Sequence, residues 1–231
     1  MKVESRYLDG SYLESNPEWD RLDAEWKATL VEAILKRNGV VPRSIVEVGC
    51  GSGDILRHLR DAFNDAKLVG YDISPQAQVF WNDDSEGIDF FLGDFHEQNM
   101  SSYDVLLMLD VFEHVRDPFS FLEESRKHAK YFVFHIPLDL SAQSVARGKP
   151  LLNARRTVGH LNSYTKDLAL ETLSDCGFNI LESSYTGASL NMPNRSFLTK
   201  IAQIPRSLLS LIDKDISVRI FGGETLIVLA K

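Results

Sequence analysis

Apolar residues recur at helical spacing in the first clear element of the chain. Asn16 can cap a helix, Pro17 suits its first turn, and Gly39 suits a left-handed exit, so we predict a helix between them. Its apolar face carries Leu22, Trp26, Leu30, Val31, Ile34 and Leu35. We expect this face, and the large side chains of residues 1–15, to pack against the rest of the protein.

From position 44 the chain alternates between short apolar runs, typical of buried strands, and amphipathic segments, typical of helices. The predicted strands are Ser44–Gly49, Lys67–Asp72, Ile88–Leu92, Asp104–Leu109, Tyr131–Ile136, Phe178–Tyr185 and Thr225–Ala230. The predicted helices are 54–63, one opening at Ser74-Pro75, one from Asp117-Pro118 to about Ala129, one from Thr165 to Cys176, and one around 206–212.

This alternation predicts an α/β fold, with a doubly wound, mostly parallel seven-stranded sheet and helices on both of its faces. The last strand follows the long connection 187–223 instead of a plain crossover helix. We therefore predict that this strand enters the sheet antiparallel. The 231 residues are interpreted as one domain.

The charge of the chain narrows the range of partners. There are 25 basic and 33 acidic side chains, giving a formal net charge of −8. An acidic balance argues against nucleic acid, which requires clustered Lys and Arg, and against anionic membranes. The first residues lack a signal peptide, no apolar run approaches the roughly 18 residues that span a bilayer, and the two cysteines make a disulfide framework improbable. We predict a cytoplasmic protein that binds neither nucleic acid nor membrane.

A glycine-rich loop follows the first strand, where doubly wound folds bind their ligands. It reads Gly49-Cys50-Gly51-Ser52-Gly53. The dinucleotide fingerprint requires a small residue at position 54, and Asp54 would instead repel a pyrophosphate. No Gly-Lys-Ser/Thr follows, so this is not a P-loop. The loop therefore indicates a nucleoside ligand without a pyrophosphate, which disfavours an NAD-dependent oxidoreductase.

Acidic residues stand at the ends of three successive strands. Asp72 ends the second predicted strand, Asp94 follows the third, and Asp110 follows the fourth. A single acid at such a position commonly caps the next helix. Three of them after a glycine loop are harder to explain in that way, and an acid at the end of the second strand suits ribose hydroxyls.

In these motifs the sequence resembles the class I (Rossmann-like) S-adenosylmethionine-dependent methyltransferases, in their small-molecule branch. The matching segments are Val46–Gly53 (VEVGCGSG), Gly70–Ser74 (GYDIS), Leu92–Phe95 (LGDF), Tyr103–Val105 (YDV), Asp110–Pro118 (DVFEHVRDP), Gly159–Thr165 (GHLNSYT) and Gly222–Ala230 (GGETLIVLA). The resemblance covers about residues 44–186 and the final strand, and its specificity comes from the ordered set of motifs.

The resemblance implies S-adenosylmethionine as cofactor, S-adenosylhomocysteine as product, and transfer of a methyl group to oxygen, nitrogen or carbon by in-line displacement. It implies that Asp72 binds the ribose and that Asp94 binds the adenine amino group. The full set of implied cofactor residues is Glu47, Gly49, Gly51, Gly53, Asp72, Ile73, Asp94, Phe95, Leu109 and Asp110. The domain then divides into an N-terminal extension and helix (1–43), a cofactor-binding core (44–186), an insertion (187–223) and a final strand (224–231).

Candidates for the acceptor side are histidines, arginines and tyrosines outside the cofactor motifs. His160 and His114 are the candidate catalytic residues, while His135 also fits a hydrogen-bonded core position. An Arg-rich stretch predicts a small, anionic acceptor, since Arg binds carboxylate and phosphate. The candidate substrate residues are Tyr12, Arg155, Arg156 and Tyr164. No group of His, Cys, Asp and Glu has convincing metal spacing, so we expect no metal.

The motifs leave a second interpretation open. A protein that binds the cofactor and has no turnover, with a regulatory or interaction role, would carry the same cofactor residues. The leading hypothesis is an active methyltransferase, and the oxidoreductase is the least favoured of the three.

Overall fold

The computed structural model describes residues 3–10, 13, 16, 21–81, 87–187 and 209–231. Its centre is one seven-stranded sheet in the order β3-β2-β1-β4-β5-β7-β6. The strands are β1 Ser44–Val48, β2 Lys67–Asp72, β3 Ile88–Leu92, β4 Tyr103–Leu109, β5 Ala129–Pro137, β6 Ile180–Tyr185 and β7 Thr225–Ala230. The first five are parallel, and β7 lies antiparallel between β5 and β6. This confirms the predicted fold class, including the antiparallel last strand.

The alternation of side chains along the central strands divides the core into two halves. Along β4, Leu106 and Met108 point to one face of the sheet, whereas Val105 and Leu107 point to the other. All four are fully buried, because helices cover both faces. Two of these helices, Ala24–Arg37 and Asp54–Ala62, contribute Val31, Ile34, Leu35, Leu56 and Leu59 to the second face.

The helices of the described residues are short. They are α1 Val3–Leu8, α2 Ala24–Arg37, α3 Asp54–Ala62, α4 Phe95–Gln98, α5 Pro118–Ser125, α6 Ala142–Arg147, α7 Lys149–Thr157, α8 Lys166–Asp175 and α9 Lys214–Phe221. Tight 3-10 turns lie at Arg21–Asp23, Ala77–Phe80, Phe112–His114 and Arg126–His128. Within the ranges given above, none of these helices is long and apolar enough to cross a membrane.

Two predicted helices differ in extent from the observed ones. The first was predicted from Asn16, but α2 begins at Ala24 after a 3-10 turn, and residues 17–20 lie outside the described part. The helix predicted from Ser74 is only the 3-10 turn Ala77–Phe80. Here the Ser74 hydroxyl donates to the carbonyl of Tyr7 at 2.8 Å instead of capping a helix.

Five helices, α1, α4, α6, α7 and α9, were not predicted. Ser141 begins α6 with a reciprocal capping box, and Gly148, with φ of 64°, separates α6 from α7. Asp213 caps α9 through the backbone N–H of Ile216 at 2.9 Å. Residues 209–212 are helical, whereas the rest of the helix predicted around 206–212 lies outside the described residues.

Candidate functional site

A cavity of about 450 Å³ opens at the carboxyl ends of the parallel strands. The chain runs outward from β1 through β2 to β3 and then returns to place β4 on the other side of β1. The strand order therefore reverses between β1 and β4, and such a reversal leaves a crevice where α/β proteins bind ligands. Its walls come from the segments that follow β1, β2, β3 and β4.

The loop after β1 requires its glycines for their conformation and for space. Gly49, Gly51 and Gly53 have φ of 74°, 52° and 79°, in the left-handed region that side chains disfavour. A Cβ on Gly49 would lie 2.9 Å from Val111, and one on Gly53 would lie 2.4 Å from the ring of Phe90. Gly49 and Gly51 line the cavity. Gly53 instead caps α3 and packs on Phe90, so its contribution is to hold the loop.

Asp72, the last residue of β2, ties the second strand to the glycine loop. Its carboxylate accepts the backbone N–H of Gly51 and that of Ser74, both at 2.8 Å. Burial raises the pKa of Asp72, and these two N–H groups oppose the rise. Each carboxylate oxygen has more than one lone pair, so the group keeps acceptor capacity toward the cavity that it lines.

The segment after β3 supplies a second acid. Asp94 caps α4, and its Oδ1 accepts the N–H of His96 at 2.8 Å and that of Glu97 at 3.4 Å. Asp94 is therefore a helix cap and also a residue of the cavity wall. Phe95 and Ile73 line the cavity beside it.

Glu47, on β1, is a buried acid with an unsatisfied atom. Its side chain is 1% exposed, and Oε2 has no hydrogen-bond partner among the described residues. Burial raises the pKa of Glu47, while the nearby Lys27 ammonium opposes this rise. A buried carboxylate oxygen at a cavity wall favours a cationic ligand.

At the other end of the cavity, Asp110 joins two side chains from distant segments. Its carboxylate lies 2.8 Å from Nζ of Lys27, on α2, and 2.7 Å from Nδ1 of His135, on β5. The other ring nitrogen of His135 lies 2.8 Å from the hydroxyl of Thr225, on β7. Burial alone would raise the pKa of Asp110, but the contacts with His135 and with the Lys27 ammonium hold it well below its usual range. His135 therefore occupies a hydrogen-bonded core position, which is one of the two roles considered for it from the sequence.

His114 and His160 come together on the cavity wall. Their ring centroids are 4.8 Å apart at an interplanar angle of 77°. Nδ1 of His160 lies 2.5 Å from a carboxylate oxygen of Asp139, which orients its ring. Burial, together with the neighbouring His160, lowers the pKa of His114 to about 4, so its ring is neutral at pH 7.

Three of the four predicted substrate residues are described by the structure, and they do not line the cavity. Tyr164 is buried and packs on Phe112, with ring centroids 5.1 Å apart, because its ring completes the core under the loop. Arg155 and Arg156 are exposed on α7, and none of these three is among the residues that line the cavity. Tyr12 lies outside the described residues. Acceptor contacts by these side chains remain predictions.

Sequence reasoning missed three residues that line or support the acceptor end. Lys27 was assigned only to a helix, Asp139 to a connection, and Thr225 to the final strand. Each lies more than 20 positions along the chain from the residue that it contacts, which is Asp110 for Lys27, His160 for Asp139 and His135 for Thr225. No spacing rule links such residues, and only the folded sheet brings them together.

The fold and the cavity define a Rossmann-like nucleoside-binding protein, and comparison with known proteins identifies its family. A family model described as a methyltransferase domain matches residues 19–183, well over half of the chain. The chain belongs to this methyltransferase domain family, which confirms the resemblance seen in its motifs.

Individual relatives are more distant. The malonyl-[acyl-carrier protein] O-methyltransferase of Anoxybacillus flavithermus is 30% identical over 73 residues, which cover 32% of this chain and 28% of that protein. The matched segment therefore spans little more than a quarter of that relative.

Solved structures share the fold over nearly the whole chain. The methyltransferase in complex with the Haloferax volcanii Trm112 activator has a TM-score of 0.65 at 20% identity, covering 99% of this chain and 96% of that one. The plantazolicin methyltransferase BpumL, solved with SAH, has a TM-score of 0.65 at 17% identity, covering 99% and 93%. The magnesium protoporphyrin IX methyltransferase of Synechocystis PCC 6803, also solved with SAH, has a TM-score of 0.58 at 18% identity, covering 89% and 82%.

Proposed function

We propose that this protein transfers a methyl group from S-adenosylmethionine to a small-molecule acceptor. The observation that supports this most strongly is a single cavity that joins the glycine loop to the acids after β1, β2, β3 and β4. Membership of the methyltransferase domain family gives the reaction class. The acceptor, and the atom that is methylated, belong to this proposal.

The residues at the glycine-loop end fit the cofactor. Glu47 offers a buried oxygen without a hydrogen-bond partner among the described residues, which suits the cofactor's ammonium group. A side chain at Gly49 would meet Val111, so the backbone itself forms the wall there. Asp72 would accept the ribose hydroxyls, and Asp94, Ile73 and Phe95 would hold the adenine. When bound, S-adenosylmethionine supplies a methyl group on a positively charged sulfur.

The remaining walls orient the acceptor. Lys27 and His135 fix the carboxylate of Asp110, beside Leu109, where the acceptor would approach. Holding the acceptor in line within a closed site removes much of the barrier to a displacement. Arg116 brings a guanidinium to the wall, which favours an anionic acceptor, whereas the ammonium of Lys27 is paired with Asp110. His160, held at Nδ1 by Asp139, would accept a proton at Nε2 from an acceptor that must lose one.

The proposal is tested by incubating the protein with S-adenosylmethionine and an acceptor library and measuring S-adenosylhomocysteine. Product formation that depends on an acceptor is the expected result. Calorimetry with S-adenosylhomocysteine tests cofactor binding separately. Binding without turnover on any acceptor would favour the cofactor-binding protein without catalysis, and no binding at all would overturn the proposal.

A further inference from the structure

A buried carboxylate at the acceptor end has no partner to neutralise it. The side chain of Glu113 is 0% exposed, and neither of its oxygens accepts a hydrogen bond from a described residue. The nearest nitrogen of His114, Nε2, lies 3.8 Å from Oε1, beyond hydrogen-bond distance. A carboxylate in this environment binds either a proton or a cation.

The charges around Glu113 favour a cation. The carboxylates of Asp110 and Asp139 both act on it electrostatically. The ammonium of Lys27 acts in the opposite sense, but its Nζ lies 2.8 Å from Asp110. Asp110 is paired with Lys27 and Asp139 with His160, whereas neither oxygen of Glu113 has a hydrogen-bond partner among the described residues, so Glu113 is the carboxylate that a bound cation would neutralise.

Two imidazoles complete a donor set. One donor atom from each of Glu113, His114 and His160 lies within 4.8 Å of the other two. Because Asp139 binds Nδ1 of His160, Nε2 of that ring is the nitrogen available to a ligand. A carboxylate that orients a histidine in this way is the usual support of a metal-binding imidazole.

We propose that Glu113, His114 and His160 form a binding site for one divalent transition-metal ion. Two imidazole nitrogens with one carboxylate oxygen suit Zn²⁺, Fe²⁺, Co²⁺ or Mn²⁺ better than Mg²⁺ or Ca²⁺, which prefer oxygen ligands. Donors that bind one such ion at about 2.0–2.2 Å lie about 3–4 Å apart, so the three side chains would draw together by about 1 Å. This proposal departs from the expectation of no metal, which rested on the spacing of these residues along the sequence.

The position of the site suggests what the ion holds. His114 and His160 line the cavity, so the open coordination positions would face the acceptor. The ion would bind an acceptor through a hydroxyl or carboxylate oxygen, and a divalent cation lowers the pKa of a bound hydroxyl. This role, unlike metal binding itself, rests on the proposed methyl transfer. With the ion bound, Nε2 of His160 is a metal ligand, and the ion, by lowering the pKa of the bound hydroxyl, would take the place of the base that His160 would be in the metal-free protein.

Metal binding is tested on the full chain, without a polyhistidine tag and after chelator treatment, by titration with Co²⁺ followed by visible absorption and calorimetry. We expect one ion per chain with a Kd of about 1 μM or below. His114→Gln, His160→Gln and Glu113→Gln should each weaken binding by at least about 100-fold, and Asp139→Asn by about 10-fold. His58→Gln, on the exposed side of α3, is the matched control and should leave binding unchanged.

The outcomes separate the site from the reaction. Absence of Co²⁺ binding overturns the site, as does binding that survives in both His114→Gln and His160→Gln while circular dichroism shows them folded. Binding that is lost in His96→Gln instead would place the ion at His96 and His128, whose ring centroids are 6.2 Å apart, and would also overturn the site. Co²⁺ binding without methyl transfer supports the site and counts against the proposed function. Transfer that persists unchanged with chelator, in a protein that binds Co²⁺, supports the site and overturns its acceptor role.

Discussion

The two ends of the cavity hold their acidic side chains in different ways. At the glycine-loop end, Asp72 and Asp94 accept hydrogen bonds from backbone N–H groups. At the acceptor end, Asp110 binds the side chains of Lys27 and His135, and Asp139 binds His160. The first end is built by short loops at strand ends, and the second by contacts between distant parts of the chain.

This difference indicates which end of the cavity suits a ligand that many related proteins share. Backbone donors do not change when side chains are substituted, so the glycine-loop end keeps its geometry in many sequences. Side-chain networks such as Lys27–Asp110–His135 depend on several residues at once and change with any of them. We infer that the first end is built for the shared cofactor and the second for the particular acceptor.

The largest effect is expected from a substitution of Asp72, at the glycine-loop end of the cavity. Asp72→Ala removes the predicted partner of two ribose hydroxyls and also leaves the N–H groups of Gly51 and Ser74 without their acceptor. Hydrogen bonds to a charged group contribute about 1.5–3 kcal/mol each, so we expect at least about 100-fold weaker binding of S-adenosylhomocysteine by calorimetry. The exposed Asp61→Ala, on α3, is the control. Equal affinity in both variants would mean that Asp72 does not bind the cofactor.

A second test compares the two ends of one strand. Asp110, just after β4, pairs with Lys27, whose side chain is 8% exposed, whereas Asp104, near its start, pairs with Lys130, which is 69% exposed. We expect Asp110→Asn to lower the free energy of unfolding by about 2 kcal/mol, because it leaves a nearly buried ammonium unpaired. Asp104→Asn should cost about 1 kcal/mol or less, because the pair faces solvent.

Urea unfolding of both variants checks this difference. The pKa of Asp110 is lowered from 3.8, so its stabilisation is present above that pH and is lost as the pH falls through the lower, folded value. The gap between the two variants should therefore persist from neutral pH down to about pH 5. Equal losses would show that the acceptor-end network contributes no more than a surface pair.

The same contrast explains what the sequence could predict. The strands, the glycine loop and the position of Asp72 follow from local patterns, because a strand, a tight turn and a helix start each have their own residue preferences. The antiparallel β7 followed from a long connection. Glu113 and Lys27 could not be assigned, because a buried orphaned carboxylate and its distant neighbours leave no periodic signal. The burial of the Tyr164 ring in the core could not be read from its place in the motif beside His160, and its contact with an acceptor stays a prediction.

A smaller effect concerns the pH dependence of cofactor binding. The pKa of Glu47 is raised, so part of the free protein carries a neutral Glu47 that binds an ammonium poorly. This fraction falls as the pH rises, and the affinity for S-adenosylhomocysteine should therefore rise with pH, by up to about tenfold per pH unit while most of Glu47 is protonated. Calorimetry on Glu47→Gln should show a weaker and nearly flat profile. An equally steep profile in that variant would assign the dependence to another group.

The smallest expected effect comes from Arg155 and Arg156, and it tests how far the acceptor end of the cavity extends. Arg155 and Arg156 are exposed and outside the cavity wall, so they act on an anionic acceptor only through solvent-screened charge. We expect Arg155→Ala with Arg156→Ala to raise the acceptor KM about threefold or less, with unchanged cofactor affinity and a smaller effect at high salt.

The matched control is Lys127→Ala with Lys130→Ala, which also removes two positive charges. These lysines lie near the start of β5, at the end of the strands opposite the cavity. A net-charge effect would appear equally in both double variants, whereas a local field would appear only in the arginine pair. A tenfold or larger rise in KM that resists salt would place these guanidinium groups against the acceptor itself. The acceptor end would then include α7, and its side-chain network would be larger than the cavity wall.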